Sequence, residues 1–181
     1  MRLFVAVDVP DALKEAVERQ VVDKLRDRLP GARWTRPDGR HLTLRFLGEV
    51  ADGRVPDISR ALRAAASSQR PFAAAFDRVG GFPSLRRPRV LWVGIGPGAT
   101  EMAALAASVE GELAGLGYDP EDRPFTAHLT LARFREPRPL GELPAVEVPT
   151  DPFRVGEVVL FRSELHPKGA RYTALERLPL V

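Results

Sequence analysis

His41-Leu42-Thr43-Leu44 and His128-Leu129-Thr130-Leu131 are the same tetrapeptide written twice, in a chain that holds only three histidines. A β-strand turns successive side chains to opposite faces. In each copy the histidine and threonine therefore share one face, and the two leucines turn toward a core. Working outward, an offset of 87 residues brings His41 onto His128, Arg2 onto Arg89 and Pro10 onto Pro97. Each half then runs strand, proline, long helix and a strand opening on His-Leu-Thr-Leu. Residues 2–9 form an apolar run that ends at Pro10 and read as a buried strand. Asp11 is placed to cap the helix that follows, where Leu13, Ala16, Val17, Val21, Leu25 and Leu29 recur at helical spacing until Pro30-Gly31. Strands are predicted at 41–47, 72–80, 89–95, 127–134, 153–162 and 171–178. Helices are predicted at 57–67 and at 99–116, the latter stopped by Gly117. Pro71-Phe72 and Pro152-Phe153 each open a later strand, and the proline-rich 135–151 reads as a surface connection. The expectation is an α+β fold, a single bilobal domain over residues 1–181 built by tandem duplication, with the two tetrapeptides face to face across a central cleft. Strand order does not follow from the repeat.

Composition narrows the functions open to such a chain. Its 181 residues suffice to bury a real core. The absence of cysteine excludes a disulfide scaffold, cysteine nucleophiles, zinc–thiolate sites and iron–sulfur clusters. No apolar run approaches the roughly 20 residues of a membrane span. MRLFVAVDVP reads as a first strand and not as a signal peptide, so a cytoplasmic protein is expected. Only three of the 27 basic residues are lysine. Arginine reads phosphate well through its planar fork. Yet the chain also lacks asparagine and is rich in Ala, Gly, Pro, Leu and Val, the mark of GC-rich coding, so the arginine total says little by itself about a nucleic-acid partner.

Two imidazoles and two hydroxyls opposed in one cleft are the parts that break a phosphodiester by acid–base chemistry. One neutral imidazole takes a proton from the attacking water, one imidazolium protonates the leaving oxygen, and the hydroxyls hold non-bridging oxygens. An imidazole pKa near 6.5 lets both protonation states coexist close to neutrality. A lone histidine in an apolar strand is ordinarily a packed residue; a His-x-Thr-x duplicated at matching places of a repeat is not. A metal site fits less well, because neither tetrapeptide contains an acidic residue and zinc recruits three or four protein ligands. No Gly-x-Ser-x-Gly elbow is present. Gly94-Ile95-Gly96-Pro97-Gly98 lacks the Lys-Ser/Thr that completes a phosphate loop.

With these motifs the sequence resembles the 2H phosphoesterase superfamily, and within it the bacterial and archaeal RNA 2′,3′-cyclic phosphodiesterases, historically called 2′-5′ RNA ligases. The resemblance spans nearly the whole chain. It runs from Arg2-Leu3-Phe4-Val5-Ala6 and Trp34 through His41–Gly48, Phe82-Pro83, Pro88–Trp92 and His128–Arg133, and on to Ser163-Glu164-Leu165 and Gly169–Tyr172. It implies two antiparallel sheets flanked by helices around the cleft, and hydrolysis of a terminal RNA 2′,3′-cyclic phosphate to a 2′-phosphomonoester. It assigns His41 as proton donor to the leaving 3′ oxygen and His128 as proton acceptor for water, a choice the near-symmetric sequence does not make. Thr43, Thr130 and Arg133 carry over as phosphate-binding residues. No metal, nucleotide or other cofactor is implied. The implied partner is RNA with 2′,3′-cyclic phosphate ends, tRNA fragments or small nucleotides included; a monomer with no membrane or obligate protein partner is expected. Reverse 2′-5′ joining would use the same histidines with exchanged roles. The alternatives are a non-catalytic RNA- or nucleotide-binding module and a related 2H enzyme acting on small cyclic nucleotides. Two positions depart from the family pattern: Ala127 stands where proline is usual, and Arg40 where an apolar residue or asparagine is commoner.

Phe46 and Phe125 are candidate aromatic walls for a base; Phe134 is expected in the core, as are Trp34 and Trp92. Arg33, Arg36, Arg40 and Arg45, with Arg86, Arg87 and Arg89, would make an RNA track if they lay together and free; taken singly each reads as a solvated arginine. His166, in His166-Pro167-Lys168-Gly169, reads as part of a surface turn.

Overall fold

The computed structural model describes residues 1–181. Its strands are β1 (Arg2–Asp8), β2 (Arg33–Trp34), β3 (His41–Glu49), β4 (Phe72–Ala74), β5 (Phe76–Phe82), β6 (Val90–Ile95), β7 (His128–Arg133), β8 (Phe153–Val155), β9 (Glu157–Glu164) and β10 (Arg171–Pro179). The helices are α1 (Asp11–Val17), α2 (Asp23–Leu25), α3 (Val55–Ser67) and α4 (Ala99–Ala114). All strand pairings are antiparallel. One leaf, β10-β9-β1-β3, and a second, β7-β6-β5 with β2 added to β7, meet between β3 and β7. A separate two-stranded ribbon joins β4 to β8.

The duplication is written in these pairings. The leaves touch through one register pair, Leu42 with Leu129, which are the same position of the two tetrapeptides. The ribbon is centred on Ala73 with Arg154, flanked by Phe72 with Val155 and Ala74 with Phe153. Each pairing joins repeat-equivalent residues, so a pseudo-two-fold axis passes through both. The halves also share a β-bulge. Ala6 faces Thr43 but Val5 faces Arg45, leaving Leu44 as the extra residue; Trp92 faces Thr130 but Leu91 faces Ala132, leaving Leu131. Bulges re-aim side chains and concentrate beside functional sites. Here one follows each threonine. The register also sharpens the repeat: Asp8 pairs with His41 and Gly94 with His128, so the first strands correspond at an offset of 86 while the motif strands keep 87.

Local chemistry explains where expected elements change. Asp11 does not cap the first helix through its side chain; Pro10 precedes the helix, and its carbonyl takes the Leu13 and Lys14 amides. The long helix is not uniform. A π turn, Glu18–Val22, separates α1 from α2, and a 3₁₀ turn, Arg26–Arg28, follows. The wider turn rotates the apolar stripe, so adjacent Val21 and Val22 are both fully buried. The expected strand 72–80 divides at Ala75, and 153–162 divides at Gly156, because in each half the first piece pairs across the axis while the second joins its own leaf. β2 was not expected: two residues carry too little periodicity to read. α3 and α4 pack together through small residues such as Ala65, with Ser68 Oγ and Ser108 Oγ 2.9 Å apart. Leu42, Leu44, Leu129 and Leu131 are all buried, as the alternation requires.

Candidate active site

A cleft of about 840 Å³ lies between the leaves and is lined by His41, Thr43, His128 and Thr130 together. The two strands present them alike: histidine and threonine half-buried, leucines buried. Strand alternation on either side of a pseudo-two-fold thus brings four polar side chains, distant in sequence, to one space.

His41 opens β3 and sits in an aromatic stack. Its ring centroid is 4.5 Å from that of Phe4 and 5.6 Å from that of Phe161, roughly parallel to both, and 5.0 Å from that of Tyr172, which meets it edge to face. Phe4 and Phe161 are cross-strand partners, so β1 and β9 supply the two layers. Asp8 is the strand partner of His41 and holds the buried Lys14 ammonium at 2.8 Å. Burial lowers the His41 pKa to about 4; Lys14 adds to the fall, while Asp8 and the Gly39 carbonyl oppose it.

His128 opens β7 in a sparser setting. Its Nδ1 is 2.7 Å from the Thr126 carbonyl. A carbonyl only accepts, so Nδ1 carries the proton and Nε2 is the free, basic nitrogen. Phe82 meets the ring edge-on at 4.9 Å, and Trp92 is tilted at 5.9 Å. Trp92 lies over Gly80 and Gly94, where an added Cβ would stand 2.2 and 2.7 Å from its ring. Glycine is required there by close approach. Burial lowers the His128 pKa, the Thr126 carbonyl opposes that, and Arg133 reinforces it. Burial thus disfavours the charged form of both imidazoles in the free protein.

Arg133, Phe46 and Phe125 also line the cleft. Phe46 is 57% exposed, an aromatic face open to a ligand, whereas Phe125 is half-buried and packs partly on the core. Phe134 is buried in the core, as expected, and His166 is exposed in a turn. Trp92 is buried but belongs to the histidine's wall as well as to the interior. Of the first-motif arginines only Arg33 is exposed without an ion pair, so they do not form the expected track. Arg40 is buried against Glu18, Arg45 is bound to Glu110 and Glu121, and Arg36 pairs with Asp38. Arg87 and Arg89 donate to the carbonyls of Pro137 and Arg135, bracing the connection. Missed from sequence were the rings around His41 and the Asp8–Lys14 pair. Phe4, Asp8 and Phe161 become neighbours of His41 only through strand register, though Phe4 and Tyr172 both lie within motifs of the resemblance.

A duplicated α+β fold with paired His-x-Thr strands on one cleft defines the two-histidine phosphoesterases, the 2H superfamily. The chain belongs to its LigT-like phosphoesterase family, whose profile matches twice, over residues 7–92 and 93–172. It is 35% identical over 183 residues to the RNA 2′,3′-cyclic phosphodiesterase of Methanothermobacter thermautotrophicus, covering 97% of each chain. Among solved structures it is similar to TT0787 of Thermus thermophilus, with 34% identity, a TM-score of 0.83 and coverage of 99% and 98% of the two chains. It is also similar to Escherichia coli LigT complexed with 3′-AMP, with 30% identity, a TM-score of 0.78 and coverage of 99% and 97%. No helix is long and apolar enough to cross a membrane.

Proposed function

We propose that the protein hydrolyses RNA 2′,3′-cyclic phosphate ends to 2′-phosphomonoesters by paired-histidine acid–base catalysis that needs no metal. The observation that carries this reading is the opposition of two His-x-Thr pairs across the pseudo-two-fold in one cleft. His128 is the base: its Nδ1 proton is committed to Thr126, and Nε2 is left to take a proton from water. The water oxygen attacks phosphorus, the bond to the 3′ oxygen breaks, and His41 protonates that oxygen. His41 must first gain its proton against burial and Lys14; the bound phosphodiester anion, with Asp8 behind the ring, favours that gain. The Thr43 and Thr130 hydroxyls and the Arg133 guanidinium hold the non-bridging oxygens. Phe46, and Phe125 less openly, offer faces for a base. Joining a cyclic end to a 5′ hydroxyl is the same path reversed, with the histidines exchanging roles. Relatives named RNA 2′,3′-cyclic phosphodiesterase, matched over nearly their full length, support the substrate class.

The test is product analysis of an oligoribonucleotide ending in a 2′,3′-cyclic phosphate, incubated in excess chelator. A 2′-phosphate product is expected, with none formed by His41→Ala or His128→Ala on the same timescale. A 3′-phosphate product, dependence on added metal, or an unchanged end bound without turnover overturns the reading.

A further inference from the structure

Arg40, immediately before His41, has a side chain with no solvent exposure. A buried guanidinium is costly unless its charge and most of its donors are met. Its Nη2 lies 2.7 Å from Glu18 Oε2 and 2.9 Å from the Thr35 carbonyl, and its Nε is 3.0 Å from the Thr35 hydroxyl. Glu18, at the start of the π turn, is held on its other oxygen by Arg26 at 2.6 Å. Because Thr35 Oγ1 accepts from Arg40, its own proton is free to donate on the far side. There it lies 2.8 Å from the Thr130 carbonyl and 3.0 Å from the Leu131 carbonyl, and the Thr35 amide donates to Leu131 at 2.8 Å. Leu131 is the extra residue of the second bulge, and Thr130 carries the hydroxyl turned to the cleft. No equivalent serves the first motif: the offset of 87 puts Asp122 at the place of Thr35 and Ala127 at that of Arg40.

We infer that Arg40 and Thr35 are positioning residues for the second motif. Arg40, clamped by Glu18, orients the Thr35 hydroxyl, which fixes the bulge that aims Thr130 at the phosphate. The same guanidinium anchors the backbone on which His41 begins, so one buried side chain ties both motifs into a single geometry. Arg40 Nη1 has no hydrogen-bond partner, and Glu18 Oε2 meets the guanidinium as an ion pair without hydrogen-bond geometry. A buried, incompletely paired charge is a poor device for stability alone and a good one for fixing position. The inference rests on the functional reading above for its kinetic readout, and on backbone resonances for a readout that does not need it.

Thr35→Val removes the hydroxyl at nearly constant shape, and Thr35→Ser keeps it. Thr35→Val is expected to lower kcat on cyclic-phosphate RNA by roughly 10-fold, as small misplacement of a reacting geometry does, with KM moving far less. The Thr130 and Leu131 amide resonances are expected to shift in Thr35→Val and to return, with kcat, in Thr35→Ser. Arg40→Lys keeps the charge opposite Glu18 but loses the bond from Nε to Thr35, and the same loss of kcat is expected there should Thr35→Val fail to fold. Wild-type kcat with unmoved Thr130 and Leu131 resonances in either folded variant overturns the inference, as does a kcat loss that Thr35→Ser does not restore. Shifted resonances in Thr35→Val, restored in Thr35→Ser, in a protein whose wild type leaves cyclic-phosphate RNA intact would uphold the positioning role and sink the functional reading.

Discussion

Around His41 the fold packs three aromatic rings, two stacked and one edge-on, and sets the Asp8–Lys14 pair beside the imidazole. Around His128 it provides one phenyl edge, a tilted indole, the Thr126 carbonyl and Arg133. The strands beneath are the same tetrapeptide, with the same bulge and the same alternation. What distinguishes the two imidazoles is therefore contributed by the neighbouring strands, which the duplication did not keep identical. Asp8 corresponds to Gly94 and Ala6 to Trp92, so the first half carries a carboxylate where the second has glycine, and the second a broad ring where the first has alanine. A near-symmetric scaffold thereby gives its two imidazoles different surroundings, on which the proposed division into acid and base rests.

Replacing each histidine tests this division most severely. His41→Ala and His128→Ala are each expected to reduce kcat by roughly 10²–10⁴-fold, the range for a general acid or base. A cyclic substrate with sulfur in place of the leaving 3′ oxygen, whose thiolate departs without a proton, should rescue His41→Ala and not His128→Ala. Rescue of both, or of His128→Ala alone, breaks the proposed assignment.

Next in size are the contacts that hold the halves together. Leu42→Ala and Leu129→Ala empty equivalent buried sites on the pseudo-two-fold, and each should cost about 2–5 kcal/mol in chemical denaturation. A large difference between them would show that the halves do not share the axis equally. Gly80→Ala drives a methyl into Trp92 and should cost about 1–3 kcal/mol, with lowered activity because the indole is displaced against His128.

The pH dependence reads the difference directly. In the proposed mechanism the active free protein has His41 protonated and His128 neutral; burial lowers both pKa values from 6.5, that of His41 to about 4. The profile of kcat/KM should therefore peak on the acid side of pH 6.5 and fall as pH rises. Lys14→Met removes a cation that lowers the His41 pKa and should shift that profile upward, whereas an unchanged profile would detach Lys14 from the acid. Stability moves the other way. As pH falls from about 6.5 toward 4, the unfolded chain binds a proton at His41 that the folded one does not. The fold should then lose up to about 1.4 kcal/mol per pH unit from this group. Denaturant titrations should show the dependence weakened in His41→Gln.

Much of this was legible beforehand, for identifiable reasons. Period-two alternation in His41–Leu44 and His128–Leu131 decides which side chains share a face, and the repeat puts those faces opposite one another. Helical spacing located α3 and α4 to within a few residues. The split of 72–80 at Ala75 and of 153–162 at Gly156 was not legible, because pairing across an axis leaves no mark on local periodicity. Nor was the fate of Arg40 or Arg45: an arginine reads the same in sequence whether it will be solvated or buried against a glutamate.

The sequence by itself determined the duplicated α+β architecture, the four polar residues offered to one cleft and the family to which the chain belongs, since all three follow from short-range pattern repeated at a fixed distance. Only the tertiary structure decided what makes the two histidines different: the rings stacked on His41 with Asp8 and Lys14 beside it, the indole and Arg133 near His128, and the arginine turned inward beside the first motif. Those depend on strand register and on the desolvation of groups far apart in the chain, and burial sets proton affinity only once the chain has closed around the ring.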